Sequence, residues 1–321
     1  MSEVIAIVIP AFKALYLRDT LLSFAKQTNQ RFRLYIGDDA SPENLENICH
    51  EFSTKINLVY HRFESNIGAT SLVAQWNRCV QLCREPWVWL FSDDDIADEN
   101  CVEEFYQTLE ETRAQYDVYH FDVTTIDRYG NKYRELEAYG DTLTSLQFIN
   151  KRLQYQISSY AVEYIFSRQA FERENGFVEF PAAWCSDDAS WAAFSGMKSI
   201  KTISRAKVHW RQSGVNISSA DSPYKREKII AAVDYLEWVR SRYEGQLHHA
   251  QGDKPIQSFF RTWFYTQLYQ INPLLGAKNI LSLARRVSRL TGSPFSHELL
   301  RFIRSELRAL MRNLKSDFSS N

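Results

Sequence analysis

The chain has no Gly-x-Gly-x-x-Gly, and this absence argues against dinucleotide-dependent redox chemistry, whose pyrophosphate needs those glycines after the opening strand. No stretch of 18 apolar residues occurs, so any membrane contact is expected to be peripheral. The five cysteines (Cys49, Cys79, Cys83, Cys101, Cys185) are odd in number, with no Cys-x-x-Cys and no zinc-type spacing. They imply no disulfide framework and fit a reducing compartment. Cys79 and Cys83, four apart on an expected helix, read as buried small side chains. An excess of charge is also missing. Lys and Arg total 38 against 39 Asp and Glu, a net charge of -1, which gives no general reason to expect nucleic-acid binding. Glu3 and the short apolar run Val4 to Ile9 do not read as a signal or anchor, so the expected location is the cytoplasm, with the inner face of the cytoplasmic membrane as a further option.

What is present is a large hydrophobic share, 45% of 321 residues, enough for a sizeable core. The chain centres on Trp87-Val88-Trp89-Leu90-Phe91, an apolar run that ends in Asp93-Asp94-Asp95. Such a run reads as a buried parallel strand, and open α/β sheets bind ligands just beyond the carboxyl ends of their strands. Three adjacent carboxylates repel one another, which a divalent cation would relieve; an acidic loop capping the next helix is the plainer reading.

Val4 to Ile9 is β-branched and apolar, and Pro10 closes it. Helical spacing over Leu15 to Gln27 follows, then a strand at Phe32 to Ile36 ending in Asp38-Asp39, a helix opened by Pro42, and a strand at Ile56 to Tyr60. Asn66-Ile67-Gly68 turns into a helix carrying Asn77, and the Trp87 run comes next. This βαβ series predicts a mostly parallel central sheet with flanking helices. Later strands are expected at Asp117 to Val123, Val162 to Phe166 and Val208 to Arg211, with a third acid pair, Asp187-Asp188, between Trp184 and Trp191. Residues 1–220 are expected to form this domain and residues 221–321 a helical one, with helices at Ile229 to Tyr243, Ile256 to Ile271, Leu274 to Leu290 and Glu298 to Leu314. Asn216-Ile217-Ser218 is formally a glycosylation sequon, without meaning in a cytosolic chain.

Three acid clusters on separate segments suggest one site. A nucleoside diphosphate with its cation needs a carboxylate for the metal, acceptors for base and ribose, and an aromatic surface. Asp39 could accept a uracil N3 hydrogen and Phe12 could lie against the ring.

In their order along residues 4–218 these motifs resemble family 2 glycosyltransferases of the GT-A fold. Val8-Ile9-Pro10-Ala11-Phe12 resembles the opening strand and its aromatic. Gln27-Thr28 and Asp38-Asp39-Ala40-Ser41 resemble the nucleotide-binding segment, and Asn66-Ile67-Gly68 with Asn77 the Asn-x-Gly segment and its trailing Asn. Asp93-Asp94-Asp95 takes the place of the Asp-x-Asp motif. The resemblance implies an inverting transfer from a nucleotide-sugar, a UDP-sugar first, to a glycan or lipid-linked acceptor in surface polysaccharide synthesis. It gives Asp93 the ribose, Asp94 an Mn2+ or Mg2+ ion bridging the diphosphate, and Asp95 a supporting role. Asp188 would be the catalytic base, with Asp187 as the alternative. Pro10, Phe12, Asp39, Asn66, Gly68, Asn77 and Arg211 would line the nucleotide, and His209 could add a metal ligand. Lys13 departs from the family's Asn, and Asp187 from its Glu. Asp187 or Asp188 equally suits the N-terminus of a helix, and Trp184 and Trp191 suit either an acceptor sugar or the core. A non-catalytic nucleotide-sugar or glycan binder of the same fold is the alternative. A nucleotidyltransferase is a third reading, but it would need a Gly-rich basic loop where Pro10-Ala11-Phe12-Lys13-Ala14 has one Lys and no Gly.

From Gly276 onward nine basic residues face three acids. Leu299, Ile303, Leu307, Leu310, Met311 and Leu314 fall on one helical face and Arg301, Arg304, Arg308 and Arg312 on another. That pattern serves either an anionic membrane surface or packing on other helices or a second subunit. Phe259, Phe260, Trp263, Phe264, Tyr265, Leu268 and Tyr269 are expected to form the core of the helical part.

Overall fold

A computed structural model describes residues 5–214, 222–243, 246 and 256–319, with the side chains of 313–319 left aside. The expected domain boundary at 220 and 221, the Asn216 sequon and the Leu314 side chain lie outside what it describes. The chain forms two compact units. One comprises residues 1–179 and 186–214, the other residues 180–185 and 215–321.

The first unit is built on β1 (Ile5–Ala11), α1 (Leu17–Ala25), β2 (Phe32–Asp38), α2 (Leu45–His50), β3 (Leu58–Arg62), α3 (Leu72–Val80) and β4 (Trp87–Leu90). It continues through β5 (Ile96–Ala97), α4 (Cys101–Glu111), β6 (Val118–Ile126), β7 (Lys132–Glu135), β8 (Thr142–Leu143) and α5 (Ser145–Leu153). β9 (Tyr164–Ser167), α6 (Arg168–Arg173), α7 (Ser186–Ser195) and β10 (Ile200–Arg211) complete it. The strands lie in the order β3-β2-β1-β4-β9-β6-β10-β5, with β7 on β6 and β8 on β10. β3, β2, β1 and β4 are mutually parallel, as is β6 with β10, whereas β9 runs antiparallel between β4 and β6. This is the expected α/β fold, a central sheet flanked by helices with further helices at the C-terminus.

Sequence explains the frame. β1 is buried along almost its whole length, so the run is apolar without alternation. Pro10 is tolerated because the ladder between β1 and β4 ends at Val8 opposite Leu90. In α1, Leu17, Leu21 and Phe24 fall on one face and are fully buried. Phe24 meets Trp89 and Phe91 edge-on at 5.7 and 4.9 Å, and the Trp89 indole N–H donates to the Val162 carbonyl at 2.7 Å. These contacts fix β4, and with it the start of the Asp triplet.

The second unit holds α8 (Lys225–Tyr243), α9 (Ile256–Ile271), α10 (Ala277–Thr291) and α11 (Phe295–Ser319). Phe260, Trp263, Phe264, Tyr265 and Leu268 are buried in it, as expected, while Tyr269 is 46% exposed and Phe259 half-buried. Arg286 of α10 ties to Asp234 and Glu237 of α8, and Glu306 of α11 accepts from the Leu275 and Gly276 N–H groups ahead of α10. Among the described residues no helix is long and apolar enough to cross a membrane. All five cysteines are free, four of them buried.

Candidate active site

Beyond the carboxyl ends of β1 and β4, Asp93 Oδ2 accepts the backbone N–H groups of Phe12 (2.9 Å) and Lys13 (3.0 Å). One oxygen of Asp93 is thereby committed to holding the loop that carries the exposed Phe12 ring. Asp95 is buried. Its Oδ1 accepts the Arg211 N–H at 2.6 Å, while Oδ2 has no hydrogen-bond partner among the described residues. Burial, followed by the charge of Asp94, pushes the Asp95 carboxyl well up from its usual range. Asp94 is half-buried; burial and then the Asp93 charge push it up to about 6, against Lys13, Ser213 and Arg211. Arg211, almost fully buried, donates from Nε to the Asp94 carbonyl at 2.7 Å, reaches Asp19 at 3.3 Å, and sits over the Tyr16 ring. It is thus a fixed cation behind the triplet, and neither Asp19 nor Tyr16 was marked by any motif.

Asp39 is placed differently. Its two oxygens accept the N–H groups of Ile67 and Gly68, each at 2.9 Å, and it forms an ion pair with Arg78. A Cβ on Gly68 would collide with that carboxylate, which is why a glycine stands there. Asn66 accepts from Ala69 N–H and so shapes its own turn. Asn77 is directed to another turn, accepting from Phe177 N–H at 3.1 Å beside Gly176. Asn77 thus braces the turn at Gly176.

His209 Nε2 lies 2.8 Å from Asp98 Oδ1, on the strand where β10 pairs with the two-residue β5. Burial pushes Asp98 up, but the His209 hydrogen bond and charge prevail and hold it below its ordinary value. Nε2 is thus engaged with Asp98 rather than free for the expected metal role, and the buried Nδ1 has no partner among the described residues.

Asp187 and Asp188 open α7. Asp188 is buried, and its Oδ2 is held by Arg152 Nε and NH2, both at 2.8 Å; Oδ1 has no partner among the described residues. Asp187 is half-buried and accepts the Asp188 N–H at 3.0 Å. Burial, then the neighbouring Asp188 charge, pushes Asp187 up to about 7. One turn on, Trp191 is fully buried and stacks on Tyr164 at 4.8 Å, so of its two expected roles it takes the core one. Tyr164 begins β9, and β9 is antiparallel to β4, so the start of β9 lies at the end of β4. The opening turn of α7 therefore shares the sheet edge of Asp93 to Asp95. Trp184 falls in the other unit, under the Lys228 ammonium at 4.7 Å.

Among the described residues no group of three or more His, Cys, Asp or Glu side chains is arranged to hold a metal ion. The hard carboxylate oxygens suit Mg2+ or Mn2+, which bind through one or two protein carboxylates together with substrate phosphates. Asp94, half-exposed and raised, and the orphaned Asp95 Oδ2 fit that limited contribution.

Residues 6–174 match the sequence profile described as Glycosyl transferase family 2. The chain belongs to glycosyltransferase family 2. This glycosyltransferase family 2 chain is 28% identical over 171 residues to Glycosyltransferase GlyG of Streptococcus pneumoniae serotype 4 (strain ATCC BAA-334 / TIGR4). That match covers 53% of this chain and 51% of GlyG, so it spans about half the length of the curated relative. The crystal structure of S. aureus TarS 1-349 in complex with UDP-GlcNAc aligns with a TM-score of 0.68 at 13% identity, covering 98% of this chain and 92% of that one. The complex of TarS 1-349 with UDP gives 0.57 at 15% identity, covering 100% and 92%. At such identities the likeness carries the fold.

Proposed function

We propose that this protein is a cytoplasmic glycosyltransferase that moves a sugar from a nucleoside-diphosphate donor, a UDP-sugar first, to a hydroxyl of a glycan or lipid-linked acceptor with inversion. The observation that carries this is the shared sheet edge: Asp94, pushed up to about 6, with Asp95 behind it at the end of β4, and Asp187, pushed up to about 7, on α7. The UDP and UDP-GlcNAc held by TarS support the donor class.

Asp94, with Asp95 behind it, would hold Mn2+ or Mg2+, which when bound neutralises charge on the departing diphosphate. Phe12 offers its ring to the base, and Asp93 fixes the loop that carries it. Asp39 orders the Asn66-Ile67-Gly68 turn at the nucleotide end, and Arg211 holds Asp94 and Asp95 in place through their backbone and side-chain oxygens. The acceptor's hydroxyl proton passes to Asp187 as its oxygen attacks the anomeric carbon opposite the leaving phosphate. Asp187 takes the role that the resemblance gave first to Asp188, because Asp188 is buried and held in an ion pair by Arg152 while Asp187 is half-exposed and pushed up to about 7. The Asp188 charge beside it raises Asp187.

Calorimetric titration with UDP, GDP and dTDP, with and without Mn2+, tests the donor half. One nucleotide should bind in a metal-enhanced manner, and Asp94→Ala should weaken it at least about tenfold, an estimate from the loss of one of only one or two protein carboxylates on the ion. Equal binding by the variant would remove the basis for the metal assignment.

A further inference from the structure

The inner face of α11 is accounted for: Glu298, Phe302, Ser305 and Ala309 are buried, and Phe302 packs 5.8 Å from Phe264 of α9. The opposite face is not. Leu300, Ile303, Leu307, Leu310 and Met311 are 51, 40, 53, 43 and 55% exposed, and their spacing of three, four, three and one keeps them in one stripe. At 1.5 Å per residue the stripe is about 16 Å long. It differs from the face expected from sequence in using Leu300 where Leu299 was expected, since Leu299 is half-buried. Five large apolar side chains in one exposed row exceed the scattered surface leucines of an ordinary helix.

Charge decides what covers it. Arg304, Arg308 and Arg312 follow at intervals of four and form a second exposed row beside the first. Arg308 also lies over the ring of the exposed Tyr269, 5.2 Å away. The acids of α11 with described side chains are turned to other work: Glu298 is buried, and Glu306 accepts from Leu275 and Gly276 N–H. The ionic rim of the stripe is therefore cationic. A second copy presenting the same face brings no acidic row to complement the arginines, whereas anionic headgroups complement the rim and acyl chains the stripe.

We propose that the outer face of α11 seats this protein on an anionic lipid surface, with Leu300, Ile303, Leu307, Leu310 and Met311 entering the headgroup boundary and Arg304, Arg308 and Arg312 meeting lipid phosphates. This surface is independent of the sugar-transfer reading. Since no described helix can span a bilayer, the attachment is peripheral.

Flotation of the full chain with vesicles of phosphatidylcholine, with and without phosphatidylglycerol, at low and high salt, tests it. Binding should favour the anionic vesicles at low salt. Arg304→Gln with Arg308→Gln should reduce it roughly 25-fold, about fivefold per arginine. Leu307→Glu should reduce it about tenfold or more. All three side chains are exposed, so thermal unfolding followed by circular dichroism should be unchanged, which separates lost docking from lost folding. Absent binding, equal binding to neutral vesicles, or binding indifferent to these variants would overturn the proposal. So would a sedimentation-defined dimer that Leu307→Glu dissociates, because it would assign the stripe to a second copy.

Discussion

Asp38-Asp39 and Asp187-Asp188 are the same two letters in the sequence, and the fold treats them in opposite ways. At the first pair the donors are in place: Asp38 accepts from Ser41 N–H, Tyr60 OH and Arg62, and Asp39 from Ile67 N–H, Gly68 N–H and Arg78. At the second, one guanidinium serves Asp188 and the remaining charge is left to Asp187, which rises to about 7. A saturated carboxylate holds loops together. An under-served one is poised to take a proton or a cation. Asp94, pushed up to about 6, belongs with the second kind.

The largest effect expected from this contrast is catalytic. Asp187→Asn should lower kcat by about 10²–10⁴-fold while leaving the KM for donor nearly unchanged, read as release of nucleoside diphosphate. In the unmodified protein kcat/KM should rise with pH through about 7, as Asp187 loses its proton. If Asp188→Asn abolishes turnover while Asp187→Asn keeps both rate and acid limb, the roles are reversed.

Next comes stability at the saturated pair. Asp39→Asn removes the buried anion that Arg78 faces and should cost about 3 kcal/mol, measured by urea unfolding, because it leaves one member of a largely buried pair uncompensated. A variant that loses nucleotide binding while keeping full stability would make Asp39 a ligand residue and blur the contrast.

Much of this arrangement was legible in the sequence and some was not, for a physical reason. β1 and β4 were visible because strands covered on both faces need no alternation. The acid positions were visible as strand ends. Their satisfaction was not, because the deciding donors come from far along the chain: Arg78 is 39 residues from Asp39, and Arg152 is 36 from Asp188. β9, antiparallel between β4 and β6, was expected as a strand, but nothing local announces its direction. β5 has two residues, too few for a period, yet it sets Asp98 against His209. Leu300 replaced Leu299 because a one-residue rotation of a helical face is within the breadth of an apolar stripe.

Arg152 acts on both carboxylates of the second pair. Its charge lowers Asp187 while it pairs with Asp188, so Arg152→Met should move the acid limb of kcat/KM upward by about one pH unit, on the usual scale of one nearby charge. A merely structural arginine would lower the amplitude of the profile and leave its midpoint fixed.

The smallest effect has the opposite sign to the Asp39 variant. A carboxyl whose folded pKa lies above its unfolded value lets the folded state bind the extra proton between about pH 4 and pH 7, so stability declines as pH rises through that window. Asp187→Asn carries no such charge. At pH 8 it should be more stable than the unmodified protein by about 1 kcal/mol, the shift being discounted for solvent at the half-buried carboxyl, and at pH 4 the two should unfold alike. Thermal melts of both proteins at the two pH values measure this. A variant less stable at pH 8 would mean that Asp187 is a satisfied carboxylate like Asp39, and the distinction between the pairs would collapse to their positions in the sheet.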